Sequence, residues 1–331
     1  MEKNFPGGRS LIREALKRKE VPLAAVEICL SSISLSTLRQ YNSGLKRWWD
    51  FCSRQTLDVF ISSPKDVLVF LSLEFDKGAS FGTLNSIRAA LGHVLNFDLG
   101  TNNLIKRFFK GVINVRPNLP KYSHIWDPEI VLKFLSNWDN SSVTIELLGK
   151  KLAVLLALAT GHRVQTLSNI MVEDIVCLDE KIEIKIPNKI KTTAKNRYQP
   201  TLFIPFFKER PTICVASAII VYLDKTKHLR SNYGQKLFLT HKKPFHDASS
   251  QTISRWIKDI LRSSGIDTNI FSAHSTRHAS TSIAAKRGVS IDTIRTTANW
   301  SEKSQTFARF YQRPIKVLEN FAGAVLNPNS I

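Results

Sequence analysis

Cysteine is scarce in this sequence of 331 residues, and the four cysteines lie far apart along the chain. Cys29, Cys52, Cys177 and Cys214 form no CxxC pair, and no histidine lies near enough in sequence to complete a zinc-binding set. This pattern excludes a disulfide-stapled fold and a zinc finger. We expect reduced thiols that mostly lie in hydrophobic cores.

Uninterrupted apolar stretches are short, and the longest covers residues 152–159. A membrane-spanning helix needs about 20 such residues, so no span is expected. The N-terminal residues lack the apolar core of a signal peptide. These two features predict an intracellular protein. The sequence also has no internal repeat and no low-complexity segment, which excludes a solenoid.

Acidic residues are few relative to basic ones. The chain has 27 Asp and Glu against 47 Lys and Arg, and its formal net charge is +20. Residues 1–124 carry a net charge of +8 and residues 125–331 one of +12, so the excess is spread over both halves. A polyanion, most simply nucleic acid, is the expected partner. A membrane surface and a charge that serves only solubility are the alternatives.

Four helices are predicted before residue 115, because apolar side chains recur there at steps of three and four. They are centred on residues 38–52, 64–71, 84–95 and 104–112. Ser36 or Thr37 is the expected N-cap of the first helix, and Ser63 followed by Pro64 opens the second. On the fourth, Lys106, Arg107 and Lys110 gather on one side. They are candidate DNA phosphate contacts, with a solvated surface as the alternative.

Residues 116–128 contain three prolines and no apolar periodicity, which predicts a linker between a helical domain at 1–115 and a second domain at 129–331. Within the second domain, Ile182, Ile184 and Ile186 alternate with polar residues before a polar turn, and a second apolar segment follows at 202–204. This pattern predicts a hairpin or a small antiparallel sheet. The expected fold class is mainly α, with one small sheet (α+β).

Three separated segments carry residues suited to phosphodiester chemistry, which requires cations, a nucleophile and an acid. Arg163 follows a turn at the end of an apolar helix, and His274 lies three residues before Arg277, so that both can face one point. A zinc site made by His274 and His278 is the alternative, but the sequence indicates neither a following Glu nor a third ligand.

Near the C-terminus, Tyr311 lies between Arg309 and Arg313. Nearby cations favour the phenolate and so make a better nucleophile. Alternatively, Tyr311 is a half-buried aromatic residue of the core. For Arg163, the alternative is a salt bridge at the surface. The occurrence of all three segments in one chain favours the catalytic interpretation.

The motifs ALATGHRVQTL, HSTRHASTS and FARFYQRP, in this order, resemble the tyrosine recombinase or phage integrase family. The resemblance covers most of the chain, because STLRQYNSGLKRWWDF in the first domain is similar to the family's SAM-like core-binding domain. The three motifs are most similar to recombinases of eukaryotic mobile elements, such as DIRS-like retrotransposons and Cryptons, or of insect viruses.

The resemblance implies a role for each matching residue. Arg163 and Arg277 would clamp the scissile phosphate, and His274 would assist proton transfer. Trp300 would contact a non-bridging oxygen or pack against the site. A hairpin lysine would protonate the leaving oxygen; among Lys189, Lys191 and Lys195, Lys191 has the most similar context. Tyr311 would be the nucleophile.

The implied reaction is site-specific cleavage and rejoining of double-stranded DNA through a 3′-phosphotyrosyl bond, for integration or excision of a mobile element. It needs no metal ion, ATP or other cofactor. The expected assembly is a homotetramer on two DNA sites, in the nucleus for a eukaryotic element and otherwise in the cytoplasm. The alternatives are a DNA-binding protein derived from a recombinase, a type IB topoisomerase and, less favoured, a metal-dependent transposase or nuclease.

Overall fold

A computed structural model of the chain describes residues 4–117, 121–188, 190, 193, 199–230, 235–300, 311 and 313–315. Lys191, its alternatives Lys189 and Lys195, and Arg309 lie outside these residues. The chain divides into two compact units, Met1–Leu119 and Pro120–Ile331.

The first unit is helical throughout its described residues. Its helices are Gly8–Arg18 (α1), Leu23–Ser31 (α2), Leu35–Gln55 (α3), Pro64–Asp76 (α4), Phe81–Leu91 (α5) and Asn103–Val115 (α6). The last four confirm the predicted helices, with two differences in detail. The N-cap of α3 is Ser34, not Ser36 or Thr37, because the Ser34 side chain accepts the Thr37 N–H. Helix α5 ends at Leu91, although Val94 and Leu95 remain buried.

Aromatic side chains fill the core of the first unit. Trp48 stacks on Phe51 at a ring distance of 5.6 Å and meets Phe70 edge-on at 5.2 Å. The indole N–H of Trp48 donates to the carbonyl of Val59, which satisfies the polar atom of this buried ring. Ser63 opens α4 with a capping box in which Asp66 accepts the Ser63 N–H.

The second unit is mainly helical around one small sheet. Its helices are Pro128–Ser136 (α7), Ile145–Thr160 (α8), Val164–Leu167 (α9), Val215–Thr226 (α10), Ser250–Ser263 (α11), Ser275–Lys286 (α12) and Ile291–Thr297 (α13), and its strands are Ile175–Cys177 (β1), Lys181–Lys185 (β2) and Thr201–Pro205 (β3). This confirms the mainly α (α+β) fold class. None of the described helices is long and apolar enough to cross a membrane.

The three strands form an antiparallel sheet in the order β1-β2-β3. Ile182 pairs with Ile204 and Ile184 with Leu202, and all four side chains are buried on one face. This confirms the predicted hairpin, and β1 adds an edge strand that the sequence did not predict.

Helix α8 lies at the centre of the second unit, where it packs against α10, α11 and α12. Its long apolar stretch is explained by this position, since the side chains from Leu152 to Ala157 are all buried. All described cysteines are free thiols; Cys52 and Cys214 are buried, whereas Cys29 and Cys177 are exposed.

The chain that precedes α7 is packed into the second unit and contacts residues 314–315. Tyr122, Ile125 and Trp126 are buried. The N–H of Ile125 donates to the carbonyl of Pro314 at 3.0 Å, and Ile125 pairs with Ile315 in a parallel bridge. The segment before α7 and the residues that follow Tyr311 are therefore neighbours.

Candidate active site

Arg163 is presented by a sharp turn at the end of α8. Gly161 ends this helix with a φ of 59°, a left-handed conformation that glycine adopts readily. Arg163 then forms the N-cap position of α9 and is partly exposed. The turn at the end of α8 therefore places Arg163, a partly exposed residue, two positions after Gly161.

Helix α12 supplies the second cation. His274 is the residue at its N-cap, and Arg277 lies in its first turn with only 1% of its surface exposed. The Nη1 atom of Arg277 donates to the carbonyl of Gly161 at 2.6 Å. This hydrogen bond joins α12 to the turn that carries Arg163, so the two predicted arginines belong to one site.

Arg277 is a buried cation without an acidic partner among the described residues. Burial lowers the pKa of Arg277 to about 9; the charge of Arg163 adds to this, and Tyr311 acts in the opposite direction. Its buried Nε and Nη2 atoms have no hydrogen-bond acceptor within the part of the chain described. A guanidinium in this state is suited to bind an anion such as a phosphate.

Tyr311 lies in contact with the residues of α12. Its phenolic oxygen is 2.8 Å from Nε2 of His274, and its ring centroid is 5.5 Å from Cζ of Arg277. The backbone beside it is fixed by Ser282, whose hydroxyl donates to the Tyr311 carbonyl at 2.8 Å and accepts the N–H of Arg313 at 3.1 Å. The tyrosine side chain is 8% exposed.

Trp300 packs against both the cation and the tyrosine. Its ring lies 4.1 Å from Cζ of Arg277 and 4.8 Å from the ring of Tyr311. The indole therefore covers one side of Arg277 with an aromatic face, an arrangement that favours a cation. His274, Arg277, Trp300 and Tyr311 are brought together, and Arg163 lies on the turn that Arg277 binds.

The three predicted DNA contacts of α6 are in the first unit. Lys106, Arg107 and Lys110 are all exposed, while Ile105 and Phe109 of the same helix are buried. The three cations thus share the solvent side of an amphipathic helix.

Two histidines at the site were not predicted to belong to it. His278, considered only as a zinc ligand, stacks on Tyr311 with ring centroids 4.1 Å apart. His162 is buried beside the arginines; burial and then the charge of Arg277 lower its pKa to about 4, so it is neutral. The sequence did contain one indication of their position, since each of these histidines is next to a predicted site arginine.

Metal binding by the described residues has no support from geometry. No group of three His, Cys, Asp or Glu side chains in this part of the chain could hold a metal ion. The rings of His274 and His278 are 5.5 Å apart at an interplanar angle of 84°, and both contact Tyr311.

Comparison with known proteins gives a family match over the second unit. Residues 128–315, more than half of the chain, match the model of the Phage integrase family. The tyrosine recombinase XerC of Leptospira interrogans serovar copenhageni is 28% identical over 141 residues, covering 41% of this chain and 44% of that protein. The chain thus matches less than half the length of the curated relatives.

Solved structures share the fold across both units. XerH site-specific recombinase bound to palindromic difH substrate, in a post-cleavage complex, has a TM-score of 0.61 at 15% identity, covering 92% of this chain and 90% of that one. A lambda integrase tetramer bound to a Holliday junction has a TM-score of 0.52 at 17% identity, and the match covers 96% of this chain and 81% of that one. The fold, the order of the motifs and the family match lead to one conclusion: the chain belongs to the phage integrase family, that of the tyrosine recombinases.

Proposed function

We propose that the protein is a site-specific DNA recombinase that cleaves and rejoins DNA through a covalent bond to Tyr311. The observation that carries the proposal is the 2.8 Å contact between the Tyr311 phenol and His274, beside the buried cation of Arg277. A nucleophile, a proton acceptor and a phosphate-binding group thus lie within one site, as phosphoryl transfer requires.

In the proposed reaction, the Tyr311 oxygen attacks the scissile phosphorus while its proton passes to His274. The bond from phosphorus to the 5′-oxygen breaks, leaving a 3′-phosphotyrosyl bond and a free 5′-hydroxyl. Arg163 and Arg277 neutralise the charge that develops on the non-bridging oxygens. The 5′-hydroxyl of a second strand then attacks the phosphotyrosyl bond, so the energy of the phosphodiester is retained.

We assign protonation of the leaving 5′-oxygen to Lys191, on the resemblance alone. The proposed reaction needs no metal ion and no cofactor, because fixed guanidinium groups and a lysine perform the charge neutralisation that Mg²⁺ performs in other phosphoryl transfers. Trp300 keeps Arg277 in place through the ring contact at 4.1 Å.

Double-stranded DNA is the proposed partner. We assign residues 1–115 as the domain that grips DNA, with Lys106, Arg107 and Lys110 as phosphate contacts, and residues 129–331 as the catalytic domain. The linker proposed at 116–128 joins them, and its buried residues Tyr122, Ile125 and Trp126 pack with the catalytic domain. The basic charge of both parts, +20 in total, supports this division. Among proteins of the same fold, XerH has been solved bound to difH substrate, and lambda integrase bound to DNA and as a tetramer bound to a Holliday junction. A homotetramer on two DNA sites is the corresponding assembly here.

For the biological setting we propose integration or excision of a mobile element. The motifs GHRVQTL, HSTRHASTS and FARFYQRP support a eukaryotic element of the DIRS or Crypton type, or an insect virus, and with it a nuclear site of action. A source outside these groups implies action in the cytoplasm instead.

Covalent trapping tests the proposal without knowledge of the DNA site. The full chain is incubated in EDTA with a pool of nicked duplexes of random sequence, and DNA that stays attached to protein in SDS is recovered and sequenced. We expect an adduct on a restricted set of sequences. Tyr311→Phe is expected to abolish it, whereas Tyr41→Phe, which removes a phenol from the first unit, is expected to leave it unchanged.

Other outcomes identify the alternatives. Tight binding without any adduct, on this pool and on supercoiled plasmid, would indicate a DNA-binding protein that no longer cleaves. Relaxation of plasmid with no sequence preference and no pairing of sites would indicate a type IB topoisomerase. An adduct that survives Tyr311→Phe would identify another nucleophile, and loss of the adduct in EDTA would indicate a metal-dependent enzyme.

A further inference from the structure

The phenol ring of Tyr311 is contacted by aromatic rings in two different ways. His278 lies flat against its face, with ring centroids 4.1 Å apart and planes inclined by only 17°. His274 and Trp300 meet it at steep angles, 79° at 5.8 Å and 61° at 4.8 Å. His278 therefore provides the surface on which the tyrosine ring lies.

His278 is itself held by its neighbours. The ring of Tyr122 packs edge-on against it at 5.1 Å and an angle of 88°. The hydroxyl of Tyr122 shares a hydrogen bond of 3.0 Å with Ser272 and accepts the Ser272 N–H at 3.4 Å. His278 also follows Arg277 directly in α12, so the cation and the stacking surface are positioned by one helical turn.

We propose that His278 is a positioning residue that orients Tyr311 for attack on the phosphate, an inference that rests on the proposed function. The contact with His274 fixes the phenolic oxygen but leaves the ring plane free to turn. A flat surface against the ring removes this freedom and aims the oxygen along one direction. Orientation of this kind contributes strongly to the rate of a displacement reaction.

The geometry separates this role from proton transfer. His274 directs Nε2 at the phenolic oxygen, whereas His278 offers the face of its ring. The role of His278 therefore depends on a flat ring and not on a titrating nitrogen. Phenylalanine at position 278 is therefore expected to preserve the orientation of Tyr311, whereas alanine is expected to lose it.

Rates of adduct formation on the duplexes recovered by covalent trapping test this expectation. His278→Ala is expected to slow adduct formation about 10- to 100-fold, since small misplacements of a reacting group have effects of this size. His278→Phe is expected to stay within about threefold of the parent protein, with the same pH profile, because an aromatic pair is retained. Binding of the same duplexes is expected to be unchanged in both variants.

The proposal is overturned if His278→Phe reacts as slowly as His278→Ala, if the pH profile of His278→Phe shifts, or if His278→Ala reacts at the parent rate. The first two results would assign a titrating role to His278, and the third would assign it no role in orientation.

A measurement on the protein without DNA tests the stack itself, and it does not depend on the folding of an alanine variant at His278. With ¹³C-labelled histidine, the eight histidines give separate ring signals, and His278→Phe identifies the one from His278. We expect the stacked phenol ring of Tyr311 to shift this signal upfield. The upfield shift is expected to persist in Tyr311→Phe, which keeps a ring, and to disappear in Tyr311→Ala. An unmoved signal in Tyr311→Ala would overturn the stack. A stack without any adduct from the parent protein would instead overturn the proposed function.

Discussion

His274 and Tyr311 are 37 residues apart in sequence, and their side chains meet at 2.8 Å through Nε2 and the phenolic oxygen. In the proposed reaction, this contact gives the phenolic proton of Tyr311 a short path to His274 when attack begins.

Replacing His274 by glutamine is expected to slow adduct formation by about 10²- to 10⁴-fold, the usual contribution of a general base. Binding of DNA is expected to persist, because the arginines remain. Single-turnover trapping and an equilibrium binding assay measure the two effects. His228→Gln, which changes an exposed histidine, is the control and is expected to have no effect on either.

Arg277→Met is expected to raise the stability of the protein while it abolishes cleavage. A buried cation without an acidic partner costs free energy in the folded state, and an apolar side chain of similar length removes that cost. We expect the free energy of unfolding to rise by about 1–3 kcal/mol. Thermal or denaturant unfolding measures it.

Arg163→Met is the matched variant, because Arg163 is partly exposed. It is expected to lose cleavage as well, but without a gain in stability. A lower stability of Arg277→Met than of the parent protein would contradict the assignment of Arg277 as a destabilising cation.

His162 makes stability depend on acid pH. Burial lowers its pKa to about 4 from 6.5, so the folded chain binds fewer protons than the unfolded chain between these values. Stability is therefore expected to fall as pH decreases from 6.5 towards 4, by about 3 kcal/mol from this residue. Unfolding at a series of pH values, compared between the parent and His162→Gln, measures the contribution as a difference.

His241 provides the control for His162. Burial lowers its pKa to about 4 against the opposing charge of Glu146, and its ring stacks on Trp256 at 4.0 Å, away from the arginines. His241→Gln is expected to reduce the acid sensitivity of stability to a similar extent. Only His162→Gln is expected to change the rate of cleavage as well, and equal cleavage by both variants would remove His162 from the site.

Neutralising Lys106, Arg107 and Lys110 together with glutamine is expected to weaken DNA binding of every sequence alike. The slope of log affinity against log salt is expected to fall in magnitude by about 2 to 3, because each lost phosphate contact contributes about 0.9. Titrations at several salt concentrations measure the slope. A control variant with Lys17, Lys46 and Lys65 replaced by glutamine has the same net charge as the α6 variant. An equal decrease of the salt slope in the control would show that α6 has no special role in DNA binding.

In the first unit, the helices that the sequence predicted are those with a capping side chain. Ser63 and Asn102 accept backbone N–H groups at the start of α4 and α6. The two unpredicted helices, α1 and α2, begin at Gly7 and Pro22 with no side-chain cap, so they carry no such signal. The three residues of β1 are too few to show alternation.

At the site, the separate motifs predicted the residues that meet, but not how they meet. The stack of His278 on Tyr311 joins positions 33 residues apart, and no local pattern encodes it. Tyr122 lies in the proline-containing stretch predicted as a linker, yet it is buried against His278. Tertiary packing alone places these rings.

The pairing of Ile125 with Ile315 has a consequence for how the second unit connects to other domains. The family match spans residues 128–315, so this pairing brings the two ends of the matched range close together. A domain with adjoining ends can be joined to different neighbours without distortion of its interior, as insertion and permutation of domains require. Because Tyr311 lies four residues before that junction, whatever is attached there meets the chain close to the tyrosine that we propose as the nucleophile.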